Sequence, residues 1–211
     1  MNQAKFQTHN LQEHVLQRLD SPFIQLYLID NFLSQSECEK YIQVIDQEVS
    51  PSNVVGDSAK GHRTSQTAYL TKTDPLLSKS IDARISGVLG VSAERSEPIQ
   101  GQRYYQGEFY KEHFDWFDVS KESGQKEVAV GGQRTWTFMV YLNSVLEGGG
   151  THFPKLGLVF QPLVGRALCW RNLNKDGSTN DYALHEAQPV ALGSKYVITK
   201  WFRQEPGRNV V

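Results

Sequence analysis

His113 and Asp115 stand two residues apart in the run Tyr104-Tyr-Gln-Gly-Glu-Phe-Tyr-Lys-Glu-His-Phe-Asp115. Read as a strand, this run sends both side chains to one face. An imidazole and a carboxylate so placed are two legs of a 2-His-1-carboxylate site, which leaves positions on Fe(II) open for a co-substrate and dioxygen. A His-x-Asp pair alone is common as a surface contact, so the reading needs a second histidine from a distant strand. The candidate is His185, in Asp181-Tyr-Ala-Leu-His-Glu-Ala-Gln-Pro-Val190. Ten residues on, Lys195 opens a last strand in which Lys195, Val197, Thr199 and Trp201 share a face. A lysine inside a β-barrel requires an anionic partner, and a dicarboxylate co-substrate could supply one.

The elements that must position these groups divide the chain. Phe23 to Ile29 is apolar and rich in β-formers, and reads as a strand. Ser34-Gln-Ser-Glu37 has the form of a capping box, so a helix should follow with Cys38, Tyr41, Ile42, Ile45 and Val49 on one face and a stop near Pro51. A second helix should start at Asp74 with Pro75 at its first position, carry Leu77, Ile81, Ile85 and Val88 as its stripe, and end at Gly90. From Glu97 onward short apolar runs alternate with Gly/Pro turns: Arg134 to Leu142, Leu158 to Phe160, Arg166 to Trp170, Tyr182 to Val190 and Lys195 to Arg203. That spacing predicts a β-sandwich or barrel. The expectation is a single domain over residues 1–211, with 1–96 mostly helical and 97–205 forming the β core. Ser50 to Gly61 and Val119 to Gly132 read as flexible loops and candidate lids.

Composition narrows the function classes. The chain has 211 residues, with Lys+Arg 22 against Asp+Glu 23, a balance that speaks against a nucleic-acid binder. No run reaches the ~18 apolar residues of a membrane span. Met1 to Asp20 is polar and lacks the order of a secretory signal. Two isolated cysteines, Cys38 and Cys169, form no disulfide framework, and the expected location is the cytoplasm. Six histidines are present, and composition does not rank them.

Taken together, the motifs resemble the prolyl 4-hydroxylase group of Fe(II)/2-oxoglutarate dioxygenases. The matching pieces are Tyr104 to Asp115, Arg134 to Asn143, Glu147-Gly-Gly-Gly-Thr-His-Phe-Pro154, Gly165 to Asn172, His185 to Val190 and Gly193 to Trp201, in family order and over about half of the chain. Arg63-Thr-Ser65 and the helix after Asp74 resemble the family's N-terminal portion. The resemblance implies a mainly β fold with flanking helices, a double-stranded β-helix or cupin-like jelly roll. It implies that His113, Asp115 and His185 bind Fe2+, and that Lys195 pairs with the distal carboxylate of 2-oxoglutarate. Tyr104 and Thr151 would hydrogen-bond the same carboxylate, whose lone pairs one lysine cannot fill. Tyr110 and Trp201 fall where the family lines the cavity near iron and substrate. Arg134 and Arg63 fall where it contacts substrate or orders loops. The implied reaction couples decarboxylation of 2-oxoglutarate to succinate and CO2 with hydroxylation by O2, and ascorbate is an implied accessory.

Two departures lie on the expected substrate side. Arg203 stands two residues after the matched Trp, where animal and plant peptidyl hydroxylases typically carry His, and Glu108-Phe109 replaces a Gly-Gln before the matched Tyr. They leave the iron chemistry untouched but weaken the case for peptidyl proline: a prolyl residue in a peptide or protein is the favoured substrate, and a free amino acid or other small molecule is the alternative. A non-catalytic jelly-roll binding module is a third reading, opposed by the complete ligand set. The oligomeric state is not legible. Among the remaining residues, His152 should point away from Thr151 into solvent, and His9, His14 and His62 read as surface residues, with a substrate contact conceivable for His62. Cys169 reads as a small buried hydrophobe, and Trp136, Phe138 and Val140 read as core by their period of two.

Overall fold

The computed structural model describes residues 5–11, 14–52, 61–70 and 75–206. The chain runs through β1 (Phe6–Leu11), β2 (His14–Leu19), β3 (Leu26–Asp30), α1 (Gln35–Glu48), β4 (Ser50–Pro51), β5 (Gln66–Tyr69), α2 (Pro75–Leu89), β6 (Gln100–Tyr104), β7 (Tyr110–His113), α3 (Glu122–Gly131) and β8 (Arg134–Tyr141). It continues through β9 (Glu147–Gly148), β10 (Thr151–Phe153), β11 (Leu158–Phe160), β12 (Ala167–Arg171), β13 (His185–Ala187), β14 (Val190–Leu192) and β15 (Lys195–Arg203). A nine-stranded sheet has the order β1-β2-β3-β12-β8-β15-β6-β5-β4, a four-stranded sheet the order β11-β10-β13-β7, and β14 pairs with β9. The result is the expected double-stranded β-helix.

Period two along the central strands explains why there are two cores. On β15, Ile198 and Phe202 face outward and pack with Tyr41 and Ile45 of α1 and Ile81 and Ile85 of α2. Val197 faces inward and packs with Tyr104, Met139, Tyr141, Phe153 and Trp170 between the sheets. The helices thus cover one sheet from outside, as expected. Lys200, on the outward face, is buried and pairs with Asp82 of α2 at 2.5 Å.

The capping box forms as read: Ser34 Oγ accepts from the Glu37 amide at 3.3 Å and the Ser34 amide donates to Glu37 Oε2 at 2.8 Å. Gly90, at φ 66, follows the end of α2. The expected cap at Asp74, the side chains of Leu77, His9 and His14, and residues 53–60 of the first candidate lid lie outside the described residues.

Three expectations change. The first 96 residues supply five strands of the large sheet alongside their helices, because β1 and β2 pair in a hairpin and β2 pairs with β3. Leu16 and Leu19 are buried there despite the polar average of the segment. The stretch 119–132 is not a loop, since α3 occupies most of it. Tyr182 to Val190 is not one strand: a 3-10 turn holds Asp181–Ala183, and Pro189, which has no amide to donate, separates β13 from β14. Arg134 sits on an even position of β8, whose even positions face the helices, yet its side chain faces the inter-sheet space. The register shifts between Phe202 and Arg203, so Trp136 pairs with Phe202 and Arg134 with Arg203; the extra residue, Thr135, re-aims the strand end.

Candidate active site

Strand pairing brings the two histidines together. His185 of β13 and His113 of β7 are direct cross-strand partners, with ring centroids 4.2 Å apart. Asp115 follows two residues after His113, with Oδ1 3.8 Å from His113 Nε2 and Oδ2 3.8 Å from His185 Nε2. One ligand atom from each of the three lies within 4.8 Å of the others. Each histidine places its Nδ1 against a main-chain carbonyl, His113 against Lys111 O at 2.7 Å and His185 against Ala183 O at 2.9 Å. With Nδ1–H donating, the Nε2 lone pairs are turned to the space between the rings.

The charge states suit a metal. Burial, and then the neighbouring His185, pull His113 well below the usual imidazole range, which keeps it neutral. Burial pushes the Asp115 carboxyl up, but His185, His113, Arg134 and Thr137 outweigh it and leave it below its ordinary value. A neutral His113 and an ionised Asp115, with His185 as the second imidazole, match the donor types of the facial triad.

A further layer, not foreseen from sequence, fixes the carboxylate. Thr137 Oγ1 donates to Asp115 Oδ2 at 2.6 Å and accepts from Asn172 Nδ2 at 2.9 Å. The signal was present in the period of two that read Trp136, Phe138 and Val140 as core, because the alternate residues Thr137, Met139 and Tyr141 then share the opposite face. Aromatic rings then wall the site. Tyr110 stacks on His113 at 3.5 Å, while Trp170 and Phe153 pack on His185 at 4.7 and 5.6 Å. Burial pushes the Tyr110 phenol up to about 12, so it stays protonated.

At the deep end, Lys195 is 1% exposed and stands directly across from Tyr104, with Nζ 4.7 Å above the Tyr104 ring. Its Nζ donates to Gly149 O at 2.8 Å. Among the described residues no carboxylate pairs with it, and burial alone pulls it down to about 7. Buried Thr151 lies within hydrogen-bond reach of another group missed in the sequence, Tyr141, whose hydroxyl is 2.7 Å from Thr151 Oγ1. An uncompensated buried cation beside buried hydroxyls is a cradle for a carboxylate.

The mouth is lined differently. Arg134 makes a two-pronged contact with Glu97, with both N–O distances at 2.7 Å, and stacks 4.0 Å over Trp201. Arg63 lies 4.8 Å over Tyr110 and donates to the hydroxyls of Ser65 and Thr67. His62 also lines the opening, edge-on to Tyr110 at 5.7 Å. All nine residues expected at the site (Tyr104, Tyr110, His113, Asp115, Arg134, Thr151, His185, Lys195 and Trp201) line one cavity of about 530 Å³. His152 faces away and is half-buried against Glu186 at 2.8 Å. Cys169 is fully buried, and burial pushes its thiol up. Arg203 does not line the cavity; it is buried against Glu97 at 2.9 Å.

Known proteins share this arrangement. Residues 99–203 match the family model of the 2OG-Fe(II) oxygenase superfamily. A putative prolyl 4-hydroxylase of Acanthamoeba polyphaga mimivirus is 30% identical over 187 residues, which cover 88% of this chain and 77% of that protein. The chain belongs to the prolyl 4-hydroxylase-like 2OG-Fe(II) oxygenases. In fold, this oxygenase is similar to the viral collagen prolyl hydroxylase of Paramecium bursaria Chlorella virus-1 solved with 2OG, at TM-score 0.68 and 24% identity over 87% of this chain and 97% of that one. It is also similar to a prolyl hydroxylase from Trichoplax adhaerens in complex with a hypoxia inducible factor peptide, at TM-score 0.63 and 16% identity over 84% and 83% of the two chains. The oxygenase is thus a 2-oxoglutarate-dependent dioxygenase that uses Fe2+, 2-oxoglutarate and O2. Among its described residues no helix is long and apolar enough to cross a membrane.

Proposed function

We propose that this oxygenase hydroxylates a prolyl residue in a peptide or protein, with His113, Asp115 and His185 as the iron ligands and Lys195 as the cation for the distal carboxylate of 2-oxoglutarate. One observation carries the assignment of roles. A preorganised His/Asp/His cluster and an unpaired buried lysine line the same cavity. When bound, the iron and its co-substrates supply the oxidising power that the side chains lack.

The chain's own residues bind, orient and exclude water. Lys195 closes a charge-assisted contact to the co-substrate, and the Tyr104 and Thr151 hydroxyls take the remaining lone pairs of that carboxylate. Tyr110, Trp170 and Phe153 keep bulk water off the ligand histidines. Trp201, with Arg134 stacked on it, forms the wall on the substrate side. A peptidyl substrate is supported by the names of the relatives and by the peptide bound to the Trichoplax protein. Arg203 was the residue that favoured a small-molecule substrate, and its engagement with Glu97 removes that support. We further assign ascorbate as the reductant that restores the iron, and the reducing cytoplasm as the compartment, in keeping with two free buried cysteines. The whole chain acts as one dioxygenase unit in this reading.

The test is succinate release from 2-oxoglutarate with proline-rich peptides and with free proline, alongside mass analysis of the peptides. The expected result is peptide-stimulated release with one oxygen atom gained on proline, lost in His113→Ala. Stimulation by free proline and by no peptide would transfer the assignment to a small-molecule substrate.

A further inference from the structure

Glu97, behind the cavity wall, is asked to neutralise two cations. Its carboxylate takes both prongs of Arg134 and also accepts from Arg203 at 2.9 Å. Arg203 is only 6% exposed, and the side chains of Arg134 and Glu97 are 14% and 19% exposed. Both guanidiniums lie over the ring of Phe117, at 4.7 and 4.5 Å. Arg134 also feels the Asp115 carboxylate, whereas Arg203 has to share Glu97, and a buried cation with only part of an anion is costly in a poorly solvated place.

A further anion for Arg203 comes from α3. Glu127 Oε2 lies 3.8 Å from Arg203, and Arg203 donates to the main-chain carbonyl of Glu127 as well. Arg203 therefore has its second anionic partner only while α3 is docked. This helix and its lead-in also form one side of the cavity mouth, through Lys121, Ser123 and Gly124. On the other side of the cluster, Arg134 reaches the main-chain carbonyl of Asp115 at 3.4 Å.

We propose that Arg203 is a positioning residue that latches α3 against the active-site wall and so sets the width of the substrate entrance. It touches neither iron ligands nor the co-substrate cradle. Its effect passes through Glu97 and Arg134 on one side and through α3 on the other. Only the kinetic arm of the test rests on the prolyl hydroxylase reading.

The full chain carrying Arg203→Met keeps Glu97 and Arg134 as a balanced pair, so the β core should remain intact. Hydrogen exchange followed by mass spectrometry should then show the amides of 122–131 exchanging about tenfold faster or more, as loss of charge-assisted bonds implies. The amides of β8 and β15 should keep their protection. Glu127→Gln, a change at a partly exposed position, should move α3 exchange in the same direction by less, and Arg203→Lys should restore part of the loss. With a peptide that wild type hydroxylates, Arg203→Met should raise KM for the peptide severalfold and leave KM for 2-oxoglutarate within about twofold. The proposal is overturned if α3 exchange is unchanged in both Arg203→Met and Glu127→Gln. It is equally overturned if β8 and β15 lose as much protection as α3, because Arg203 would then merely hold the core together. Should wild type hydroxylate no peptide at all, the substrate assignment fails and the exchange data still decide the latch.

Discussion

Thr137 has a single proton to give, and Asn172 decides where it goes. Because Asn172 Nδ2 donates to the Thr137 oxygen, the Thr137 proton is left for Asp115 Oδ2. That bond holds the carboxylate in one rotation, with each oxygen turned to a different histidine. Thr137→Val keeps the shape and removes the proton. Fe2+ affinity should fall about 10–100-fold, the usual cost of losing an outer-shell partner, as read by anaerobic titration. Stability should also fall by about 1–3 kcal/mol, because the buried Asn172 Nδ2 loses its acceptor. Wild-type iron affinity in this variant would show that Asp115 is held by the backbone alone. The proposed ligands were legible in the sequence once His185 joined His113 and Asp115, because all three carry their chemistry in their residue types. Thr137 was hidden because a threonine in a strand is ordinary, and only the inward phase of β8 gives it meaning.

Strands and helices were legible where a local rule fixes them. Ser34 and Glu37 announce α1 by reciprocal capping, and Lys195 to Arg203 is β15 to the residue. The β1–β2 hairpin was not legible, since its strands gain their order from pairing in the large sheet rather than from their own apolar content. Helix α3 was masked by its glycines. One of them, Gly124, is demanded by contact, for a Cβ there would lie 2.0 Å from the Asp118 carbonyl oxygen. The seating of α1 on the sheet shows a comparable demand at Gly101 of β6. A Cβ at Gly101 would stand 2.4 Å from Ile45 Cγ1, and Ile45 is wholly buried with no room to retreat. Gly101→Ala should therefore push α1 outward and cost about 1–3 kcal/mol, measured by denaturant unfolding. Co-substrate affinity well below the melting temperature should be nearly unchanged, because Gly101 faces the helix while Gln102 and Tyr104 face the cavity.

At the scale of the molecule, the outer core between helices and sheet is apolar apart from the buried Lys200–Asp82 pair, whereas the space between the sheets is shared between apolar packing and a polar cavity. Function is installed at a cost to stability, and Lys195 shows its sign. In the folded chain its ammonium is held near 7, well below the ordinary 10.5, by burial without an anion. Below about pH 7 both folded and unfolded chains carry this proton, so the full penalty of burying the charge is present. Between about pH 7 and 10.5 the unfolded chain keeps a proton that the folded chain has released, and the penalty shrinks as pH rises. Lys195→Met removes the charge and keeps much of the volume. Without ligands, the variant should be more stable than wild type by about 0.5–2 kcal/mol near pH 6. The gap should narrow toward about pH 9, a trend that denaturant curves at the two values read directly. With metal and saturating 2-oxoglutarate the order should reverse, because ligand at about 100 times its Kd adds roughly 2.7 kcal/mol to wild type and far less to the variant. A gap that stays constant with pH would mean that Lys195 keeps its proton in the folded chain over this range, held by a partner. An equal ligand-induced rise in Tm for both proteins would mean that the distal carboxylate is held elsewhere.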